Sequence, residues 1–472
     1  MIFTEDMTHG GDIAIRDGQK NFGFFEQGWV NPNEFLGTHD RSKVILSRMK
    51  ISSAKSFRGS FKMPGDKSIT HRAYIFGALA SGVTTIEGAS GGDDCHSTRR
   101  CLSALGVRFE GETEGGPIRV HGGQPLQPPR ARLDCGNSGT TLRLLMGLLA
   151  GASFETDLAG DDSLNRRPME RVAKPLREMG ARIETTNGLP PVRVRGTTLR
   201  AAQLVPEAAS AQIKSAILLA ALQTEGVTVV HERAATRDHT ERMIRTFGGT
   251  IDVRGTLVEI RGPQALQARH LRIPGDPSSA APFVVAALIL PDSEVTIEGV
   301  LLNPHRVRYL DVLRHMGADI QTEVTSTTDA EPSGRIVARS SKLHGISVSS
   351  DDVPAVVDEL PILAVAAAFA TGRFEVRGAS ELRVKESDRI KAMVEGLAAM
   401  GARIEELSDG FAIHGNTALT GAVVQSHGDH RIAMSLAVAA LGASGETAVS
   451  GAEVVSISLP QFFSELSRGA SR

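Results

Sequence analysis

Gly65-Asp66-Lys67-Ser68-Ile69-Thr70-His71-Arg72, running on as AYIFGALA to Ala80, is a polar turn that opens a helix apolar on nearly every face. The pattern returns five times: GNSGTTLRLLMGLLA (136–150), ASAQIKSAILLAAL (209–222), GDPSSAAPFVVAALIL (275–290), DELPILAVAAAFA (358–370) and GDHRIAMSLAVAAL (428–441). A second pattern, helix end to glycine to strand, interleaves with it. It reads LSALGVRFE from Leu102, LREMGARIE from Leu176, LRHMGADIQ from Leu313 and LAAMGARIE from Leu397, with a weaker copy, RTFGGTIDV, from Arg245. The period is roughly 65 to 80 residues, beyond the usual 20 to 50 of a solenoid. One compact α/β unit used six times is the expected architecture.

A helix apolar all round is buried. Segments such as TTIEG, RIETT, VTVVHE and RFEVRG alternate, as strands with one packed and one wet face do. The expected fold is therefore α/β, with buried helices inside and sheets outside. Six units divide into two similar domains of three. A basic strand meets a Gly-turn at FKMPGDKS and LRIPGDPS, so the chain is expected to cross between domains near Gly65 and Pro274. That puts 50–64 and 274–472 in one domain, 65–273 in the other, and the ligand in the cleft between them. Residues 1–49 lack the repeat pattern, hold the sole tryptophan, Trp29, and read as a poorly ordered extension.

The chain has 472 residues, 41% of them hydrophobic, enough for two or three domains. A formal net charge of −2 argues against a general nucleic-acid surface. Three cysteines fit a reducing compartment without a disulfide framework. No apolar run reaches membrane-spanning length, and the acidic N-terminal stretch resembles neither a secretory nor a transit signal. A cytoplasmic protein is expected.

Cations gather at the helix starts, where the helix dipole disfavours them. They stand at Lys67 and Arg72, at Arg166-Arg167 ahead of a proline expected to start a helix, at Arg237, at Lys385 and Arg389, and at His430-Arg431. One such placement is met by a solvated or salt-bridged start. Five clusters ask for an anion, and a guanidinium binds phosphate or carboxylate bidentately. Asp358 and Glu386 lie at the same edge as candidate acid and base, although Asp358 also reads as a helix N-cap. Asp93-Asp94-Cys95-His96 with Cys101 has metal-ligand composition but no second pair at zinc spacing, and reads better as a capped helix. Cys135 has no activating neighbour in sequence. Neither GxxxxGK[ST] nor a GxGxxG after a strand occurs, so no nucleotide cofactor is indicated.

Four segments in order resemble the enolpyruvyl transferases, and within them the branch acting on shikimate 3-phosphate. They are Gly65-Asp66-Lys67, the SAQxK stretch Ser210 to Lys214, the RxHxE stretch Arg237 to Glu241, and the NxxR stretch Asn303 to Arg306. The likeness covers residues 50 to 472 and points to the second sequence class, which contains glyphosate-tolerant bacterial enzymes. It implies two domains of three βαβαββ-type units, no cofactor and no metal, and an expected monomer with neither nucleic-acid nor membrane partners. The reaction it implies moves the enolpyruvyl group of phosphoenolpyruvate to the 5-hydroxyl of shikimate 3-phosphate, in the route to chorismate and aromatic amino acids.

Carried over by motif, Lys67, Ser68, Arg72, Ser210, Ala211, Gln212, Arg237, Asp358 and Lys385 are the implied shikimate-phosphate site. Lys67, Gly139, Arg167, Gln212, Arg389 and Arg431 are the implied phosphoenolpyruvate site, where glyphosate also binds as inhibitor. Asp358 is the implied base, Glu386 the group that protonates the methylene carbon, and Lys67 its assistant. Two departures bear on this. The loop GAEVVSISLPQFF lacks the cation some relatives carry there, and Gly139 stands where tolerant members often have alanine. Two alternatives stay open. One is the branch acting on UDP-N-acetylglucosamine, whose usual loop cysteine is missing from AGDDSLNRRPM. The other is a non-catalytic polyanion-binding repeat protein, which would have no need of Asp358 and Glu386.

Overall fold

The computed structural model describes residues 48–112, 116–327 and 331–471. Thirteen α-helices occur among them. Six form the inner layer: α1 (Lys67–Leu79), α3 (Gly139–Leu149), α5 (Ala211–Ala221), α7 (Pro277–Ile289), α10 (Leu360–Phe369) and α12 (His430–Leu441). They are the six repeat helices, and all but a few of their residues are buried. The others are α2 (Asp93–Ala104), α4 (Glu170–Glu178), α6 (His239–Thr246), α8 (Arg308–His315), α9 (Val353–Val356), α11 (Arg389–Ala399) and α13 (Phe462–Gly469). Those of α4, α6 and α8 bury one face, as amphipathic helices over a core do.

Among the described residues, six sheets of three to five strands accompany the helices. The N-terminal strand Ser56–Lys62 lies beside Glu294–Leu301 in parallel and Ala470–Ser471 in antiparallel register, within a five-stranded sheet. Arg48–Ser52 pairs with Glu446–Ser450. The buried apolar residues fall into two clusters. One takes Ile51, Phe57 and Phe61 together with residues from Ala280 to Leu466; the other runs from Ile69 to Ile273 and adds Leu301. The chain passes between them twice, at adjacent points. Asp66 N–H donates to Pro274 O and Asp276 N–H to Pro64 O, each at 2.8 Å.

Two expectations need correction. The extension read over 1–49 lies outside the described residues as far as 47, but Arg48 and Met49 belong to a strand. Met49 pairs with Val449 in register, so backbone hydrogen bonding claims it. Pro168 does not start a helix: Leu164–Arg166 is a 3-10 turn, Met169 is the N-cap, and α4 begins at Glu170.

The helix starts are set by short polar side chains accepting from free N–H groups. Asp66 Oδ1 accepts from Ile69 N–H at 2.8 Å, Ser138 Oγ from Thr141 N–H at 3.1 Å, and Asp276 Oδ1 from Ser278 N–H at 2.8 Å. Asp388 and Asp429 cap α11 and α12 in the same way. The close approach of α3 and α5 depends on Gly147. A Cβ there would stand 2.1 Å from Ala216 O. Gly147→Ala should therefore force the helices apart and lower stability by about 1–3 kcal/mol, the usual cost of overpacking. Chemical denaturation measures it, and an unchanged midpoint would show that the pair tolerates the shift.

Candidate active site

A solvent-open cleft of about 1090 Å³ lies between the two cores. First-turn or capping residues of α1, α3, α5, α7, α11 and α12 line it, joined by Asp358 just ahead of α10. The six-fold repetition thus aims the positive ends of several helices at one space. Nine Lys and Arg side chains line it, against five Asp and Glu. Such a surplus, beside several helix N-termini, suits small ligands carrying several negative charges.

Asp358 is the acidic centre. Its Oδ2 accepts from Arg237 Nη2 at 2.8 Å, while Arg389 Nη1 and Lys385 Nζ stand 3.4 and 3.5 Å from Oδ1. Burial alone would push this carboxyl up; Lys385, Arg237, Arg431 and Arg389 overcome it and hold it well below the usual carboxylate range. The N-cap reading is set aside, because Glu359 occupies that position, with no capping bond from its side chain. Glu386 is held similarly. Its Oε2 accepts from Arg389 Nη2 at 2.5 Å and its Oε1 lies 3.4 Å from Arg167 Nη1. Burial opposes its ionisation, and Arg389 and Arg167 lead the cations that keep it charged. Arg389 is itself buried and anchored by Nε donating to Asp429 Oδ2 at 2.8 Å.

Lys67 opens α1 and pairs with Asp94 at 2.9 Å. Burial pulls the ammonium down, but Asp94 more than offsets it, so Lys67 stays protonated above its ordinary value. Beside them His430 is a neutral imidazole, drawn down to about 4 by burial and by Lys67. Arg143 Nη1 donates to Gln212 Oε1 at 2.6 Å, and burial, with Arg171 and Arg167 adding, lowers it to about 9. A cation so destabilised gains from an anionic ligand. Three ion pairs join the walls: Arg237–Asp358, Arg167–Glu386 and Arg171–Glu381, the last at 3.7 Å.

The structure brings together Lys67, Ser68, Gly139, Arg167, Ser210, Ala211, Gln212, Arg237, Asp358, Lys385, Glu386, Arg389 and Arg431. Arg72 is the exception. It is buried beneath the cleft floor, donating to Thr240 Oγ1, Ser68 O and Ser215 Oγ. The sequence-derived binding set omits Asp94, Arg143, Arg171, Asp276, Arg306 and Glu381, which also line the cleft, and gives no role there to His430, named among the cations at the helix starts. Two carried a usable signal. Arg143 lies four residues after Gly139, on the same helix face, and His430 adjoins Arg431. The remaining acids and cations are assembled by the fold.

A family model described as EPSP synthase (3-phosphoshikimate 1-carboxyvinyltransferase) matches residues 51–466. The chain belongs to this family. A 3-phosphoshikimate 1-carboxyvinyltransferase of Desulforamulus reducens is 48% identical over 416 residues, 87% of this chain and 97% of the relative. One of Geobacillus thermodenitrificans is 49% identical over 419 residues, 88% of this chain and 97% of that one. A solved EPSP synthase from Acinetobacter baumannii superposes with a TM-score of 0.80 at 41% identity, covering 90% of this chain and 98% of its own. Family membership accounts for the α/β repeat architecture and makes the chain an enzyme. No helix among the described residues is long and apolar enough to cross a membrane.

Proposed function

We propose that the cleft transfers the enolpyruvyl group of phosphoenolpyruvate to the 5-hydroxyl of shikimate 3-phosphate, with release of phosphate. The observation that carries this reading is the pairing of two ionised carboxylates, Asp358 and Glu386, inside a wall of nine cations in a chain of this family. Asp358 takes the proton of the 5-hydroxyl as its oxygen attacks C2. A proton is delivered to C3 by Glu386, and a tetrahedral ketal phosphate results. Phosphate then leaves, a C3 proton is lost, and the enol ether forms. Lys67, held as an ammonium, stabilises the charge on the departing phosphate.

The acid role of Glu386 needs a proton on a group that is charged in this geometry. The donor's phosphate and carboxylate supply the means. As they engage Arg167 and Arg389, their negative charge offsets those cations, the proton affinity of Glu386 rises, and it takes from the water of the open cleft the proton it then passes to C3. In the same reading Lys67, Ser68, Ser210, Ala211, Gln212, Arg237 and Lys385 hold the phosphorylated acceptor, with Arg72 supporting them from below. Lys67, Gly139, Arg167, Gln212, Arg389 and Arg431 hold the donor. The two cores act as two lobes, 50–64 with 274–472 and 65–273. A monomer working in the cytoplasm without a cofactor is the form expected for the family.

The test is phosphate release from phosphoenolpyruvate with either acceptor. Release with shikimate 3-phosphate and none with UDP-N-acetylglucosamine is the expected result. The reverse, or release with neither, would overturn the assignment.

Glyphosate provides a finer probe of the donor site. A Cβ at Gly139 would stand 2.8 Å from Arg143 Nη1 and 3.5 Å from Arg167 Nη1. The backbone at Gly139 is helical and accepts a side chain, so the guanidinium ends must yield. Gly139→Ala should shrink the pocket at the expense of glyphosate, which is longer than phosphoenolpyruvate. The ratio of glyphosate inhibition constant to phosphoenolpyruvate KM should rise at least about tenfold, the scale of a small steric discrimination. A constant ratio would place the inhibitor elsewhere.

A further inference from the structure

The four sequence motifs interlock into one polar network that spans both cores. From the RxHxE stretch, Arg237 reaches Asp358, Thr240 meets Arg72 and Ser215, and Glu241 pairs with the SAQxK lysine, Lys214, at 2.6 Å. Asp238 and His239 face the other way, away from the cleft lining. His239 Nδ1 lies 2.7 Å from Glu331 Oε1, and the NxxR asparagine, Asn303, donates from Nδ2 to both Asp238 Oδ1 at 2.7 Å and Glu331 Oε2 at 2.9 Å. His239, Asn303 and Glu331 are all buried. Three residues after Asn303, Arg306 pairs with Asp66 and Asp276 where the chain crosses between the cores.

We propose that the cluster of His239, Glu331, Asn303 and Asp238 is a joint that positions Arg237, and through it sets affinity for the phosphorylated acceptor. The proposal rests on the functional reading given above. Arg237 stands on the short segment leading into α6 and must project across the cleft to reach Asp358. A long side chain on a free segment would spend that reach on conformational entropy. Fastening the next two residues to the opposite core removes that freedom. The joint is also directional. The Glu331 carboxylate, when ionised, can only accept, so His239 Nδ1 carries the hydrogen, and the Asn303 amide donates both of its hydrogens. None of the four joint residues lines the cleft, so their role is positioning.

His239→Ala removes one strut and leaves Glu331 buried with one partner fewer. The dissociation constant for shikimate 3-phosphate, measured by calorimetry, should rise about tenfold, the usual scale of a lost buried hydrogen-bonded partner. The KM for phosphoenolpyruvate should stay within about twofold, because no donor-site residue is released. His239→Asn places an amide N–H where Nδ1–H was and should restore most of the affinity. Asn303→Ser loosens the joint from the other core and should act in the same direction, which keeps the idea testable if His239→Ala does not fold. Unchanged acceptor affinity in the altered proteins, equal losses for both substrates, or no rescue by asparagine would each overturn the joint. A wild-type protein that binds no shikimate 3-phosphate would instead overturn the functional reading beneath it.

Discussion

Asp358→Asn and Glu386→Gln should each lower turnover by at least about two orders of magnitude, the usual contribution of a positioned acid or base. Both exchanges keep shape and most hydrogen bonds while deleting a charge. The fold should survive, although each exchange leaves cations short of a partner, because the cleft is open to solvent and ions screen the surplus. Phosphate release is the assay, with circular dichroism to confirm folding; near-normal turnover in both variants would sink the assignment of the acid and the base. The pH dependence carries a sign. Both groups have folded pKa values well below their ordinary 3.8 and 4.5. The stability they contribute is therefore complete above those ordinary values and is lost as pH falls through the lower folded ones. For the free enzyme, kcat/KM should show no protonation of Asp358 on descending to about pH 4. An inflection assigned to Asp358 well above its ordinary value would contradict the cation cage around it.

Arg306→Met should have the largest effect on stability, about 3–5 kcal/mol, the range found when one partner of a buried ion pair is removed. Arg306 Nη2 stands 2.9 Å from Asp66 Oδ2, 3.0 Å from Asp276 Oδ1 and 3.1 Å from Ser278 Oγ, and the guanidinium is almost wholly buried. Asp66 and Asp276 cap α1 and α7. Without Arg306 the two carboxylates face each other unpaired where the chain crosses between the cores. Arg306→Lys keeps the charge that Nη2 brings to Asp66 and Asp276, so it should cost less than the methionine variant. Urea denaturation followed by ellipticity measures both. A loss below about 1 kcal/mol for Arg306→Met would mean that water or a rearranged side chain replaces the guanidinium.

What could be read from the chain was local. The six inner helices were legible because burial on all faces, joined in four of them by a capping Asp or Ser, is a property of a dozen adjacent residues. Asp66, Ser138, Asp276 and Asp429 cap through contacts two or three residues away. Lys67, Arg389 and Arg431 were legible as a set, since a cation at a helix start is locally costly and asks for an anion, and Arg167 and Arg237 stand two or three residues ahead of α4 and α6. Local logic left Asp358 with two readings, cap or acid–base group, and the partner that decides between them, Arg237, lies 121 residues earlier in the chain. Nor could it place Arg72, which lies five residues beyond Lys67 on α1 and so points to another side of the helix. Ser215 and Thr240, from two other helices, decide that it is buried. Asp94 and Arg306 became cleft residues only when partners 27 and 240 residues earlier in sequence, Lys67 and Asp66, were folded beside them. Short-range hydrogen bonding and burial periodicity are encoded within one turn or strand. The balance of charge around a buried group depends on which distant chains surround it, and only the tertiary structure sets that.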